Sequence, residues 1–91
     1  MRMRYVIAGR IDVASYLDFI AERAGWLDIS GWARAEGAQS VTLVAAGPEA
    51  LVGALEMACT LGPLNALVES IEGVFEPEAV APGFEIRIAQ K

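Results

Sequence analysis

The pattern of apolar and polar residues along the chain predicts five strands and two helices. Runs rich in β-branched and aromatic residues, which suit a pleated surface, predict strands over residues 4–9, 29–34, 41–46, 67–75 and 84–88. Apolar residues recur at helical spacing between the first two runs, at Tyr16, Ile20, Ala24 and Leu27. A second helix should begin after Gly47-Pro48-Glu49 and end at Gly62-Pro63, because proline suits the first helical position and glycine often follows the last.

The order of these elements is βαββαβ with a short additional strand at the end. Residues 35–40 contain Gly37 and predict a hairpin that pairs the second and third strands antiparallel. The order predicts an α+β fold, the ferredoxin-like sandwich, with two helices on one face of a mostly antiparallel sheet. A chain of 91 residues is enough for one domain, so we expect residues 1–91 to form a single domain.

Composition excludes several classes of function. The net charge of −5 argues against nucleic acid as a partner, because phosphate backbones require a clustered positive field. The chain has no histidine, which excludes histidine-dependent nucleophiles, general bases and zinc sites, and we expect no metal and no cofactor. Cys59 is the only cysteine and should be a buried, small apolar residue. The sequence shows neither a secretion signal nor a membrane span, so we expect a cytoplasmic protein without a membrane partner.

Five short stretches resemble the acylphosphatase family in order and spacing, over nearly the whole chain. They are Gly9-Arg10-Ile11, Gly31-Trp32-Ala33-Arg34, Ser40-Val41, Gly62-Pro63 and Gly83-Phe84-Glu85-Ile86. The resemblance implies hydrolysis of a carboxyl-phosphate bond without histidine or metal. It also implies that the loop after the first strand holds phosphate with backbone amides and a final arginine, while an asparagine on the second strand orients the attacking water.

The chain departs from the family pattern at both of these side chains. Leu17 stands at the arginine position and Ala35 at the asparagine position. Leucine offers no charge or donor to phosphate, and alanine cannot hydrogen-bond a water molecule. We therefore expect no catalytic residues here. The positions that correspond to the family's phosphate loop are Arg10, Ile11, Asp12, Val13, Ala14, Ser15, Tyr16 and Leu17.

Three other loop residues also disfavour phosphate. Val13 and Ser15 stand at two glycine positions of the family pattern and tolerate positive φ angles poorly. Asp12 adds a negative charge, which would repel a nearby unit charge by about 1 kcal/mol in water and more in a desolvated site. Ser15 and Asp18 resemble a capping box, so we expect the Ser15 oxygen to accept a hydrogen bond from a backbone N–H that phosphate would otherwise meet.

Two arginines are candidates to replace the missing one. Arg10 lies at the end of the first strand and Arg34 precedes Ala35. Neighbouring strand residues point to opposite faces, so Arg34 should project away from the side that residue 35 faces. We interpret Arg10 as a solvated residue, neutralised by Asp12 or Asp18.

Apolar residues at the flanks of the helices suggest a contact surface. The expected core stripe of the second helix is Leu51, Ala54, Leu55 and Ala58. Val52, Met57 and Leu61 flank this stripe, and Trp26 could extend the surface from the first helix, since tryptophan is enriched at binding hot spots. The alternative is that these residues are singly exposed without consequence. Trp32, Phe75 and Phe84 are expected to pack in the core or against the sheet.

The sequence thus leaves three functions open. We favour an acylphosphatase-like protein without hydrolase activity that acts as a binding or interaction module, as a homo-oligomer or with a protein partner. The first alternative is a weak or altered acylphosphatase in which loop amides and Arg10 compensate. The second is a binder of a less charged small ligand in the altered loop, where Tyr16 and Leu17 would favour apolar groups.

Overall fold

A computed structural model describes residues 1–87 of the chain. All five predicted strands and both helices are present, and position 88, the predicted end of the last strand, lies outside the described residues. The elements are β1 (Arg2–Arg10), α1 (Val13–Trp26), β2 (Ser30–Gly37), β3 (Ser40–Ala46), α2 (Glu49–Leu61), β4 (Leu67–Phe75) and β5 (Phe84–Arg87). Neither described helix is both long and apolar enough to cross a membrane.

The strands form one mixed sheet in the order β4-β1-β3-β2-β5. β1 pairs antiparallel with β3 and β4, and β2 and β3 form the predicted antiparallel hairpin. β5 extends the sheet by pairing parallel with β2. The predicted ferredoxin-like α+β arrangement, with an additional short strand, is confirmed.

The core lies between the sheet and the two helices, and alternation along the strands selects its residues. Tyr5 and Ile7 of β1, Leu43 of β3 and Ala33 of β2 are buried together under the helices. α1 contributes Tyr16, Leu17, Ile20 and Ala24. The opposite face of the sheet, away from the two helices, is called the open face below.

The predicted core stripe of α2 is partly wrong. Its buried residues are Val52, Leu55 and Cys59, whereas Ala54 is exposed. Val52 is only 1% exposed, so it does not belong to a contact surface, while Met57 and Leu61 are exposed as predicted. The sequence misled because α2 carries apolar residues on most sides, and its pattern therefore does not fix which side faces the sheet.

Two of the three aromatic residues expected to pack in the core or on the sheet do so. Trp32 is 7% exposed, and Phe84 is partly buried against the core. Phe75 is 75% exposed, so that prediction is wrong. It is the last residue of β4, an edge strand of the sheet, and no other element covers it there.

Candidate functional site

The connection between β1 and α1 is very short. β1 ends at Arg10 and α1 begins at Val13, so only Ile11 and Asp12 connect them. The remaining family loop positions, 13–17, form the first turns of α1. Gly9 is fixed by close packing, because a Cβ atom there would clash with the backbone of β4 at Leu67.

The two positions that matter most for catalysis in the family pattern are core positions here. Leu17 is 9% exposed and belongs to the cluster of buried residues between the helices and the sheet. Ala35 pairs with Val41 on β3 and packs against the same cluster. Both side chains therefore contribute apolar contacts and present no polar atom to a ligand.

The start of α1 differs from the predicted capping box. Asp12 is the N-cap residue, and within the described residues its side chain makes no capping bond to the helix backbone. The Ser15 hydroxyl donates a hydrogen bond to Asp12 Oδ2 at 2.7 Å instead of accepting one from a backbone N–H. The prediction is wrong because the helix begins two residues before Ser15, which places Ser15 inside its first turn. Ser15 therefore does not block a backbone N–H as predicted, and the Asp12 carboxylate is a negative charge at the start of the helix.

The candidate replacement arginines both pair with glutamates. Arg10 is exposed, and its Nε lies 4.0 Å from a Glu69 carboxylate oxygen, so its neighbour is neither Asp12 nor Asp18. Arg34 contacts Glu36 at 2.6 Å and lies over the Trp32 ring. Its side chain is on the open face, opposite to Ala35, as the alternation of strand residues predicts.

Comparison with known proteins establishes the family of the chain. The family model described as Acylphosphatase matches residues 3–86. The chain belongs to the acylphosphatase family. It is 37% identical over 82 residues to a protein named acylphosphatase from Salinibacter ruber, covering 89% of this chain and 86% of the relative. It is also 37% identical over 87 residues to one from Rubrobacter xylanophilus, covering 94% of this chain and 79% of the relative.

Solved acylphosphatase structures share the fold. The structure of acylphosphatase from Bacillus subtilis superposes with a TM-score of 0.85 at 21% identity, covering 94% of this chain and 97% of that one. The structure of an acylphosphatase from Coxiella burnetii gives a TM-score of 0.87 at 20% identity, covering 94% of this chain and 90% of that one. These likenesses establish the architecture; the chemistry depends on the residues of the site.

Two buried side chains of this acylphosphatase fold, Tyr16 and Cys59, carry groups that can react in enzymes, but burial makes both unreactive here. The Tyr16 hydroxyl donates a hydrogen bond to the backbone oxygen of Cys59 at 2.6 Å, which ties α1 to α2. Burial raises the pKa of Tyr16 far above its ordinary value. Burial also raises the pKa of the Cys59 thiol to about 12, so it stays protonated and is not a nucleophile at neutral pH. The prediction of a buried Cys59 is confirmed.

No group of three or more Cys, Asp and Glu side chains is placed to hold a metal ion in residues 1–87. The family reaction as the resemblance describes it requires none.

Three arginines cluster around Trp32 on the open face, and the sequence did not predict this cluster. The guanidinium carbons of Arg4, Arg34 and Arg87 lie 5.6, 5.1 and 4.5 Å from the centre of the Trp32 ring. Alternation along β1 and β2 could have placed Arg4, Trp32 and Arg34 on one face, but only the pairing of β5 with β2 brings Arg87 to them.

Proposed function

We propose that this member of the acylphosphatase family does not hydrolyse acyl phosphates and serves as a binding or interaction module. The observation that carries the proposal is the burial of Leu17, where the family pattern has its phosphate-binding arginine. Ala35, at the position of the water-orienting asparagine, packs against the same core.

The size of the expected loss supports the proposal. Phosphoryl transfer depends on positioning and on donors matched to the charge of the transition state. Removing a single preorganised donor from an enzyme typically lowers kcat by about 10²–10³. Here two such side chains are replaced, and the Asp12 carboxylate at the start of α1 would repel a phosphate dianion.

The first alternative, a weak or altered acylphosphatase, would need Arg10 to act in place of residue 17. The Arg10 side chain is 79% exposed and its nearest ion-pair partner is Glu69 on β4. An arginine in that position would first have to leave Glu69 and then order its long side chain over the loop. The exposed pair with Glu69 costs little to break, so the ordering of the side chain is the main cost that would reduce its contribution to phosphate binding.

Hydrolysis of acetyl phosphate tests the proposal. The relative from Salinibacter ruber is assayed in parallel as the comparison enzyme. We expect the purified protein to release phosphate no faster than spontaneous hydrolysis. A rate comparable to that of the relative would refute the proposal.

A double variant, Leu17→Arg with Ala35→Asn, identifies which part of the site is responsible. Activity in this variant, but not in the unmodified protein, would assign the loss to the two side chains. If a folded double variant is also inactive, the loop backbone at Val13 and Ser15 accounts for the loss. Ala54→Arg adds the same charge at an exposed helical position and is the matched control.

For the interaction role, we propose that a second copy of the chain docks on the end of α2. Met57 and Leu61 are 64% and 73% exposed, and Leu64 beyond them is fully exposed. Trp26 lies outside this surface, because α1 and α2 run in opposite directions in this topology and Trp26 and Leu61 are at opposite ends.

Sedimentation over a concentration series tests this surface. We expect association of the unmodified protein that weakens in a Met57→Gln, Leu61→Gln double variant, while Trp26→Gln leaves it unchanged. A strict monomer at every concentration would remove the homo-oligomer from the proposal.

A further inference from the structure

A small cleft opens on the open face where β2 and β5 begin. It has a volume of about 120 Å³, and one wall is the segment of residues 80–83 that precedes β5. Pockets that hold whole cofactors or drug-sized molecules usually measure several hundred Å³. This cleft therefore suits a single small group, such as one residue at the end of a chain.

The lining of the cleft combines a small apolar part with one accessible cation. Val80 and Pro82 supply the accessible apolar surface, since Trp32 is only 7% exposed, and Arg87 with its neighbour Glu85 supplies the charge. The Arg87 guanidinium lies 4.5 Å from the centre of the Trp32 ring, and this contact restricts its position. A guanidinium held in this way can offer two parallel N–H donors to a carboxylate.

Two of the ion pairs around Trp32 differ in how firmly they are held. Arg4 pairs at 2.8 Å with Glu76, whose side chain is only 5% exposed. Arg87 pairs at 2.9 Å with Glu85, and these side chains are 48% and 63% exposed. Exposed ion pairs contribute little to stability, so an incoming carboxylate can displace Glu85 at low cost. Of the two arginines, Arg87 is the one whose partner is easily exchanged.

We propose that this cleft binds a carboxylate attached to a small branched apolar group, with the carboxylate on Arg87 and the apolar group against Val80 and Pro82. Such a group occurs in short-chain carboxylic acids and at the C-terminus of peptides that end in valine or leucine. The cleft is separate from the β1–α1 loop. Gly31 and Phe84, which line it, lie at the start of their strands and pair with each other, whereas the loop follows the far end of β1.

Nuclear magnetic resonance of a Trp26→Phe protein tests the proposal directly. The chain has two tryptophans, so this variant leaves Trp32 as the source of the only indole N–H signal. We expect isobutyrate to shift that signal in a saturable manner. Isobutyramide, which has the same shape without the charge, should not.

Charge variants in the same background distinguish a binding role from a structural one. Arg87→Gln should weaken isobutyrate binding about tenfold or more, since it removes a charge-assisted hydrogen bond. Glu85→Gln should strengthen it, because the internal competitor is lost. Arg10→Gln removes a more exposed, ion-paired arginine at the end of β1, away from the cleft, and should change nothing.

Peptides distinguish the two sources of the carboxylate. A short peptide ending in valine with a free C-terminus is compared with isobutyrate and with the same peptide amidated. Tighter binding of the free peptide supports recognition of a chain terminus, and equal binding supports a free short-chain acid. The proposal is overturned if neither isobutyrate nor the free peptide shifts the signal, if isobutyramide or the amidated peptide shifts it equally, or if Arg87→Gln leaves binding unchanged.

Discussion

The β1–α1 loop and the open face of the sheet differ in where arginine is found. At the β1–α1 loop, the position of the family's phosphate-binding arginine is Leu17, which packs in the core. On the open face, Arg4, Arg34 and Arg87 surround Trp32. The acylphosphatase fold therefore forms without an arginine at residue 17, because apolar packing fixes that position. The three arginines lie instead on the face of the sheet that no helix covers.

Truncating Leu17 tests the loop half of this comparison and should have the largest effect on stability. Leu17→Ala removes a buried side chain between α1 and the sheet, so we expect the free energy of unfolding to fall by about 2–5 kcal/mol. Urea denaturation followed by circular dichroism measures it. Leu67→Ala removes the same atoms from a position that is 57% exposed and should change stability by less than about 1 kcal/mol. Equal effects of the two substitutions would mean that residue 17 is not a core position.

Replacing Glu76, whose ion pair lies on the open face, should lower the stability of the protein in a pH-dependent manner. The Arg4 hydrogen bond to its carboxylate holds the pKa of Glu76 below its ordinary value of 4.5, against a smaller opposing effect of burial. A carboxyl with a lowered folded-state pKa stabilises the protein above its unfolded pKa, and that contribution is lost as the pH falls through the folded value. Glu76→Gln should therefore be less stable than the unmodified protein at neutral pH, by less than Leu17→Ala.

The difference caused by Glu76→Gln should shrink as the pH falls below about 4.5. Unfolding curves of both proteins at neutral and acid pH measure this convergence. Glu85→Gln is the control, because Glu85 is 63% exposed and its removal should have little effect at either pH. A Glu76→Gln difference that stays constant with pH would argue against the ion pair as its cause.

Sequence reasoning predicted the elements of this fold well, because each one has a local signal. Gly62 and Pro63 end α2, and Gly37 lies in the β2–β3 hairpin. The face of α2 was not predictable in the same way, since apolar residues surround that helix and only packing on the sheet selects Val52 over Ala54. Phe75 was misjudged because edge exposure depends on strand order.

The sequence predicted which residue types occupy the candidate site, but not the contacts that they make. The apolar character of Leu17 and Ala35 is visible in the sequence, and the structure adds that both contact the core. The start of α1 was misplaced by three residues, since its N-cap is Asp12 and not Ser15, and this reversed the expected role of Ser15. The cluster around Trp32 depends on the pairing of β5 with β2, which joins residues more than 50 positions apart and has no local signal.

Removing the Ser15 hydroxyl should have the smallest effect on stability, and it tests which hydrogen bond Ser15 makes at the start of α1. An N-cap serine typically contributes about 1 kcal/mol, but Ser15 donates to the exposed Asp12 carboxylate within the first turn of α1. We therefore expect Ser15→Ala to lower the free energy of unfolding by less than about 0.5 kcal/mol. Asp12→Ala should cost somewhat more, about 0.3–1 kcal/mol, and less in high salt, because its charge lies at the positive end of the helix. A loss near 1 kcal/mol for Ser15→Ala, unaffected by salt, would instead mean that Ser15 caps the helix and that a backbone N–H is occupied where phosphate would bind.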